Sequence, residues 1–206
     1  MANEKILNAI KTVRESSKKR NFPQTFDLLI NLKEIDLKKP ESKINDEVSL
    51  PHGKGNDSVV AIFSDAQKVE GAKVYTSADV EQFSKNKRLA RNVAKDSDFI
   101  YAEPKLMSLV GKTFGQFLGP KGKIPKVLAG DPKVLVKVLS HGVRVRIKDA
   151  PVIQVPVGKE SMSDEQIAEN VEEVLKHLQT RLPKGKTNIG EVLLKLTMSK
   201  PVKVEV

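Results

Sequence analysis

The 206 residues contain no cysteine, so disulfide bridges and thiol chemistry are excluded and a reducing compartment fits. No apolar run approaches the length needed to cross a bilayer, and no membrane partner is expected. The opening M-A-N-E-K-I-L-N has no apolar centre flanked by a cleavage site, which argues against a signal peptide. No G-x-S-x-G elbow occurs. His52, His141 and His177 lie far apart, each without a second ligand at metal spacing, so they read as solvated or loop histidines and no metal is expected. Carboxylate pairs such as Glu172 and Glu173 fall on a helix surface. No catalytic constellation assembles, so the chain reads as a non-enzyme with no catalytic residue and no cofactor.

What is present is positive charge. Lys and Arg number 36 against 26 Asp and Glu, for a net +10. Such a balance favours polyanionic partners, because each neutralised phosphate releases counterions. The charge is spread, with +5 on residues 1–54 and 143–206 taken together and +5 on 55–142. An apolar fraction of 39% with 30% charged residues is that of a globular protein of one or two domains.

Period-two alternation appears near both ends. Phe26, Leu28, Ile30 and Leu32 share one face of a strand over 25–32; Val192, Leu194, Leu196 and Met198 share one face of a last strand over 188–201. Two half-buried strands so far apart in sequence suggest one domain built from both termini, residues 1–54 and 143–206, with 55–142 inserted. Within the ends, Ile6, Leu7, Ile10 and Val13 predict a helix over 4–19 with Asn3 as N-cap. Residues 33–57 read as loop. Val143, Val145 and Ile147 alternate with Arg144, Arg146 and Lys148, and Ile153, Val155 and Val157 predict a further strand. Ser163 to Gln166 is a capping box opening a helix with Ile167, Val171, Val174 and Leu178 on one stripe.

The insert reads differently. Val59 to Phe63, Ala72 to Tyr75 and Phe99 to Ala102 are short apolar runs without alternation, as suits parallel strands buried on both faces. Helices are expected from near Asp65, from Ser77 as N-cap to about Ala94, from Pro104, and from Asp131 to His141. Alternating strands and helices predict a small doubly wound α/β domain. Gly111-Lys112-Thr113 lacks the earlier glycine of a phosphate loop, and Gly53-Lys54-Gly55 precedes a strand instead of following one. A nucleotide-binding small α/β enzyme using this insert is the alternative reading.

Three stretches bear two readings each. Lys18, Lys19 and Arg20 either complement a helix C-terminus or contact phosphate. Residues 114–126, with Lys121 and Lys123, form either an RNA-contacting loop or a solvated excursion. Thr197, Met198 and Ser199 either touch RNA through hydroxyl and backbone groups or simply end a strand.

In order along the chain, Phe22-x-x-Thr25, Leu50-Pro51-His52-Gly53 with Gly55, Leu118-Gly119-Pro120-Lys121-Gly122 with Pro125 and Lys126, Val157-Gly158-Lys159, and Thr197-Met198 resemble the large-subunit ribosomal protein one family (L-one), in its archaeal-like form. The likeness runs from about residue 20 through most of the chain. It implies a mixed α+β and α/β fold of two domains: a discontinuous two-layer α/β sandwich of split βαβ type, with an inserted three-layer Rossmann-like domain. It implies a hinge, here at Gly53, Gly55 and Gly142. It further implies that the terminal domain binds the stalk region of large-subunit rRNA through Phe22, Thr25, Thr197 and Met198, with Ser199 beside them. The partners implied are the large ribosomal subunit and its rRNA, exit-site tRNA whose release the protein assists, and its own mRNA, whose translation it represses. The chain would be a monomer when free. Where the family has a glycine after the methionine this chain has Ser199, then Lys200 and Pro201. A family serine position falls on Glu191. A free-standing messenger-binding regulator is a third reading.

Overall fold

The computed structural model describes residues 2–37, 44–65, 69–148 and 150–204, with side chains from Glu4 onward. It comprises two compact units, Met1–Asn56 with His141–Val206, and Asp57–Ser140. The first unit begins with α1 (Ala2–Ser16), β1 (Thr25–Leu32) and β2 (Asn45–Ser49). The second holds β3 (Val60–Phe63), β4 (Ala72–Tyr75), α2 (Ser77–Lys85), α3 (Lys87–Asp96), β5 (Phe99–Ala102), α4 (Pro104–Leu118), β6 (Lys126–Val127) and α5 (Pro132–Ser140). The chain then returns to the first unit with β7 (Gly142–Arg146), β8 (Val152–Lys159), α6 (Asp164–Arg181), a 3₁₀ turn (Gly185–Asn188), β9 (Ile189–Leu196) and β10 (Val202–Val204).

In the first unit the antiparallel sheet runs β10-β9-β1-β8. Both β8 and β9 pair antiparallel with β1, one on each side. The β8-α6-β9 passage therefore steps over β1, which is a split βαβ. Alternation decides the faces: Phe26, Leu28, Ile30 and Leu32 are buried, while Thr25, Asp27, Leu29 and Asn31 are half-exposed on the other side. The buried set joins one core with Ile6, Ile10 and Val13 of α1 and Ile167, Val171, Val174 and Leu178 of α6. Helices thus cover one face and leave the other open, giving two layers. The capping box at Ser163 and Gln166 forms as the sequence predicts.

Several expectations need correction here. The helix over 4–19 begins at Ala2 and stops at Ser16, so Asn3 lies within it; the side chain of Asn3 is outside the described residues. Ser16 and Ser17 hydroxyls donate to the Val13 and Arg14 carbonyls at 3.1 Å each, satisfying acceptors that would otherwise continue the helix. Residues 33–57 are not all loop: β2 pairs with β7 as a two-stranded ribbon whose Val48, Val143 and Val145 join the same core. The last strand ends at Leu196, not at 201, and the chain turns back as β10.

In the second unit four parallel strands run β4-β3-β5-β6. Consecutive residues of β3 and β5 go to opposite cores. Ala61, Phe63, Ile100 and Ala102 pack with α2, α3 and α4; Val60, Ile62, Phe99 and Tyr101 pack with Val136 and Leu139 of α5. Covering both faces makes three layers and explains the unbroken apolar runs. The first face carries Phe63, Tyr75, Phe83 and Phe114 with neighbouring ring centroids 5.2 to 5.7 Å apart.

Here too the expectations shift. The strand at Ala72–Tyr75 is an edge and only half-buried. The helix expected from Ser77 to Ala94 is two helices, capped by Thr76 and broken at Asn86, which ends α2 and caps α3. The helix expected near Asp65 falls largely on residues 66–68, outside the described residues. Val134 and Val138 of α5 face outward, 59% and 49% exposed.

Candidate nucleic-acid interface

The turn between β9 and β10 is where the two ends of the chain meet. Thr197 Oγ1 accepts from the Thr25 amide at 3.1 Å and lies 3.4 Å from the Thr25 carbonyl. The Met198 amide donates to Gln24 Oε1 at 3.3 Å. Ser199 closes the turn: its amide donates to the Leu196 carbonyl at 3.0 Å, and its hydroxyl accepts from the Leu196 amide at 2.8 Å. The serine therefore supplies a turn-closing side-chain bond that a glycine lacks. The turn's polar groups bond to Gln24, Thr25, Leu196 and Lys200, while the Met198 side chain stays 60% exposed. The expectation that Met198 shares the buried face of the last strand is thus corrected, because the strand has already ended.

Gln24 is the residue that sequence reasoning missed. It is 1% exposed, its amide and carbonyl bond Glu160, and its Nε2 is buried without a partner. A lone polar residue in N-F-P-Q-T gives little signal of such a role. Phe22, two residues earlier, is 46% exposed. Phe22 and Met198, two large apolar side chains, thus stand uncovered on the segments that Gln24 ties together. Thr25 is half-exposed at the start of β1.

Lys18, Lys19 and Arg20 lie beyond the end of α1 in irregular backbone and are exposed, and none pairs with another described residue. They are therefore not last-turn cations; that place is taken by Arg14. Arg14 is itself consumed by structure, bonding Asp164 Oδ1 and the Glu160 and Met162 carbonyls at 2.7 to 2.8 Å and lying over the Phe26 ring at 5.2 Å. Glu191 on β9 pairs with Lys203 of β10 at 2.9 Å, a bond that holds its carboxyl below the usual range.

The segments entering and leaving the insert are tied within the first unit. Buried Asn170 of α6 donates to the Gly53 and Val157 carbonyls at 2.8 Å each, and its Oδ1 accepts from the His52 amide at 3.1 Å. Gly53 and Gly55 have φ of 64° and 86°. A Cβ on Gly53 would lie 2.5 Å from His141, and one on Gly55 would lie 2.8 Å from the Lys159 stem, so glycine is required twice over. Lys159 Nζ bonds Asn56 Oδ1. The third glycine, Gly142, opens β7 opposite Ser49. His52 is not merely solvated, for its Nε2 lies 2.6 Å from Glu169.

In the second unit, residues 114–118 belong to α4, with Phe114 and Leu118 buried, and Lys126 lies in β6; only 119–125 remain as loop. Lys123 is spoken for. Its ammonium donates to the Ala94, Lys95 and Ser97 carbonyls at the end of α3, so it is a helix C-cap. Gly111-Lys112-Thr113 is mid-helix, far from loop geometry. At the ends of β3 and β5, where sheets of this kind hold ligands, Ser64 bonds the Glu103 carboxylate. A carboxylate there is ill suited to a nucleotide phosphate. Among the described residues no cluster of His, Asp or Glu could hold a metal, and no helix is long and apolar enough to cross a membrane.

The model of the Ribosomal protein L1p/L10e family matches residues 13–200. A protein of Pyrococcus horikoshii described as large ribosomal subunit protein uL1 is 41% identical over 210 residues, covering 98% of this chain and 96% of the relative. The proteins so described from Methanocaldococcus jannaschii and Methanothermococcus thermolithotrophicus are 41% and 39% identical, each covering 100% of this chain and 97% and 100% of the relatives. The chain belongs to the ribosomal protein L1p/L10e family.

Proposed function

We propose that the unit built from both termini is the rRNA-binding domain of a large-subunit ribosomal protein, and that it grips the stalk region of large-subunit rRNA with the turn at Thr197, Met198 and Ser199. The family is one of structural ribosomal proteins, not enzymes. The observation that carries the reading is the Thr25–Thr197 pairing, which fixes the turn before any RNA arrives and leaves Met198 and Phe22 uncovered. A preformed surface of this kind reads RNA shape, and Lys18, Lys19 and Arg20, exposed beyond the end of α1, supply phosphate contacts that position the protein. The inserted unit moves with the stalk about a hinge at Gly53, Gly55 and Gly142 and helps deacylated tRNA leave the exit site. The same turn binds the protein's own mRNA and represses its translation.

Sedimentation through sucrose gradients tests the ribosomal assignment: the chain is expected with large subunits, and its absence from them would leave only the free regulator. Competition tests the shared site. A stalk rRNA fragment is expected to displace own-leader mRNA completely, and simultaneous binding of both would refute one site for two RNAs.

A further inference from the structure

The chain has no cysteine and no tryptophan, so the thioether sulfur of methionine is the side-chain atom that takes oxygen from a peroxide most readily. Met1 lies outside the described residues. Met107 of α4 is partly buried against the core of the inserted unit. Met162 is partly buried against the core of the first unit, and its sulfur accepts from the Lys159 amide at 3.4 Å. Met198 is different. Among the described large apolar side chains that stand exposed, it alone carries sulfur.

Adding oxygen to this sulfur changes the chemistry of the side chain and leaves its backbone in place. The turn is held by the Met198 amide on Gln24 Oε1, by Thr197 Oγ1 on the Thr25 amide and by Ser199 on Leu196, and none of these bonds involves the sulfur. A thioether is apolar and accepts hydrogen bonds weakly, whereas a sulfoxide is polar, chiral and accepts them well. On a face that RNA covers, the added oxygen loses its hydration unless a donor meets it, and phosphate oxygens offer none. Gln24 points the same way. Its Nε2, on the amide that holds the Met198 N–H, is a buried donor with no partner among the described residues. A sulfoxide oxygen is the kind of acceptor that this donor lacks.

We propose that Met198 is a site of reversible oxidation by hydrogen peroxide, and that its sulfoxide form weakens the hold of the turn on RNA. The inference rests on the reading of Met198 as an RNA contact. A sulfur lone pair attacks one peroxide oxygen, and the O–O bond breaks as the S–O bond forms. The proton left on the transferred oxygen passes to the departing hydroxide, giving water; the sulfur is oxidised and the peroxide reduced. A dithiol acting through a methionine sulfoxide reductase removes the oxygen as water and becomes a disulfide. RNA that covers Met198 shields the sulfur, so oxidation acts on the free chain and keeps it from joining RNA.

The test uses the full chain and a stalk rRNA fragment at fixed salt. The chain is treated with hydrogen peroxide, the excess is removed with catalase, and oxygen uptake at each methionine is read by peptide mass spectrometry. Met198 is expected to oxidise about tenfold faster than Met107 and Met162, and about tenfold more slowly when the fragment is bound first. Affinity for the fragment is expected to fall about tenfold in step with the Met198 sulfoxide, and to return after treatment with the reductase and dithiothreitol. Met107→Leu/Met162→Leu is expected to bind as the unaltered chain does and to lose affinity equally under peroxide. Met198→Leu, compared with its own untreated affinity, is expected to be insensitive to peroxide. A chain oxidised at Met198 that still binds at full affinity, while Met198→Ala binds weakly, would overturn this inference and leave the RNA turn standing. Full affinity in Met198→Ala would overturn both. Peroxide sensitivity that persists in Met198→Leu would assign the loss to another group and overturn the inference alone.

Discussion

Thr197 Oγ1 stands 3.1 Å from the backbone nitrogen of Thr25, so one hydroxyl joins the final turn of the chain to its first strand. Removing that hydroxyl leaves the Thr25 amide to find another acceptor and releases the turn. Thr197→Ala and Met198→Ala are each expected to weaken binding of a stalk rRNA fragment by about 1–3 kcal/mol at fixed salt. Thr197→Ser keeps the acceptor and is expected to keep the affinity. Equal losses for serine and alanine would show that the methyl group, not the bond, matters.

Asn170 offers a second test, away from the RNA. Its amide serves three backbone partners around Gly53, and it is 0% exposed. Asn170→Ala orphans two carbonyls and one amide in the core, and a loss of about 2–4 kcal/mol of stability is expected by denaturant unfolding. Asn170→Asp keeps the acceptor for His52 but removes both donors, and is expected to be no milder.

Lys123 separates structure from recognition. Lys123→Met retains the aliphatic stem but loses the ammonium on the α3 carbonyls, and is expected to destabilise the inserted unit by about 1 kcal/mol. Affinity of the first unit for the stalk fragment is expected to stay unchanged. A loss of fragment affinity without loss of stability would place this loop in the RNA site.

Acid stability should follow Asp46. Arg181 bonds both its oxygens, at 2.5 and 3.0 Å, and with that bond as the main cause its carboxyl is held below the usual range. A carboxylate depressed in the folded state contributes stability above its unfolded pKa of about 4, and that stability is lost as pH falls through the lower folded value. Asp46→Asn is therefore expected to cost about 1 kcal/mol at pH 7, a figure tempered by the exposure of Arg181, and progressively less below pH 4. A difference independent of pH would deny the ion pair its part.

How much of this was legible in the sequence depends on the physics of each element. The alternation of Phe26, Leu28, Ile30 and Leu32 encodes a strand buried on one face, and it formed as read. The runs Val60–Phe63 and Phe99–Ala102 encode burial on both faces, and they too formed. β2 escaped because N-D-E-V-S has one buried residue; its pairing with β7 is set by tertiary register, not by local pattern. The turn at Thr197 escaped because alternation continues in letters through Met198 after the backbone has turned, and the bonds that mark the end, from Ser199 to Leu196 and from the turn to Gln24 and Thr25, are tertiary or side-chain bonds. Gln24 and Asn170 were invisible as polar residues in ordinary surroundings, since their partners are backbone groups brought in from distant elements. The hydroxyl partner of Thr25 could not be read from spacing at all.

The central claim is that the two ends of the chain make the RNA site without the insert. It is tested most directly by replacing residues 57–140 with a short linker and titrating the product with a stalk rRNA fragment and with an unrelated hairpin of equal length. Discrimination between the two RNAs is expected to match that of the whole chain to within about threefold, and to fall by about tenfold or more with Met198→Ala. Discrimination lost with the insert, or kept after Met198→Ala, would contradict it.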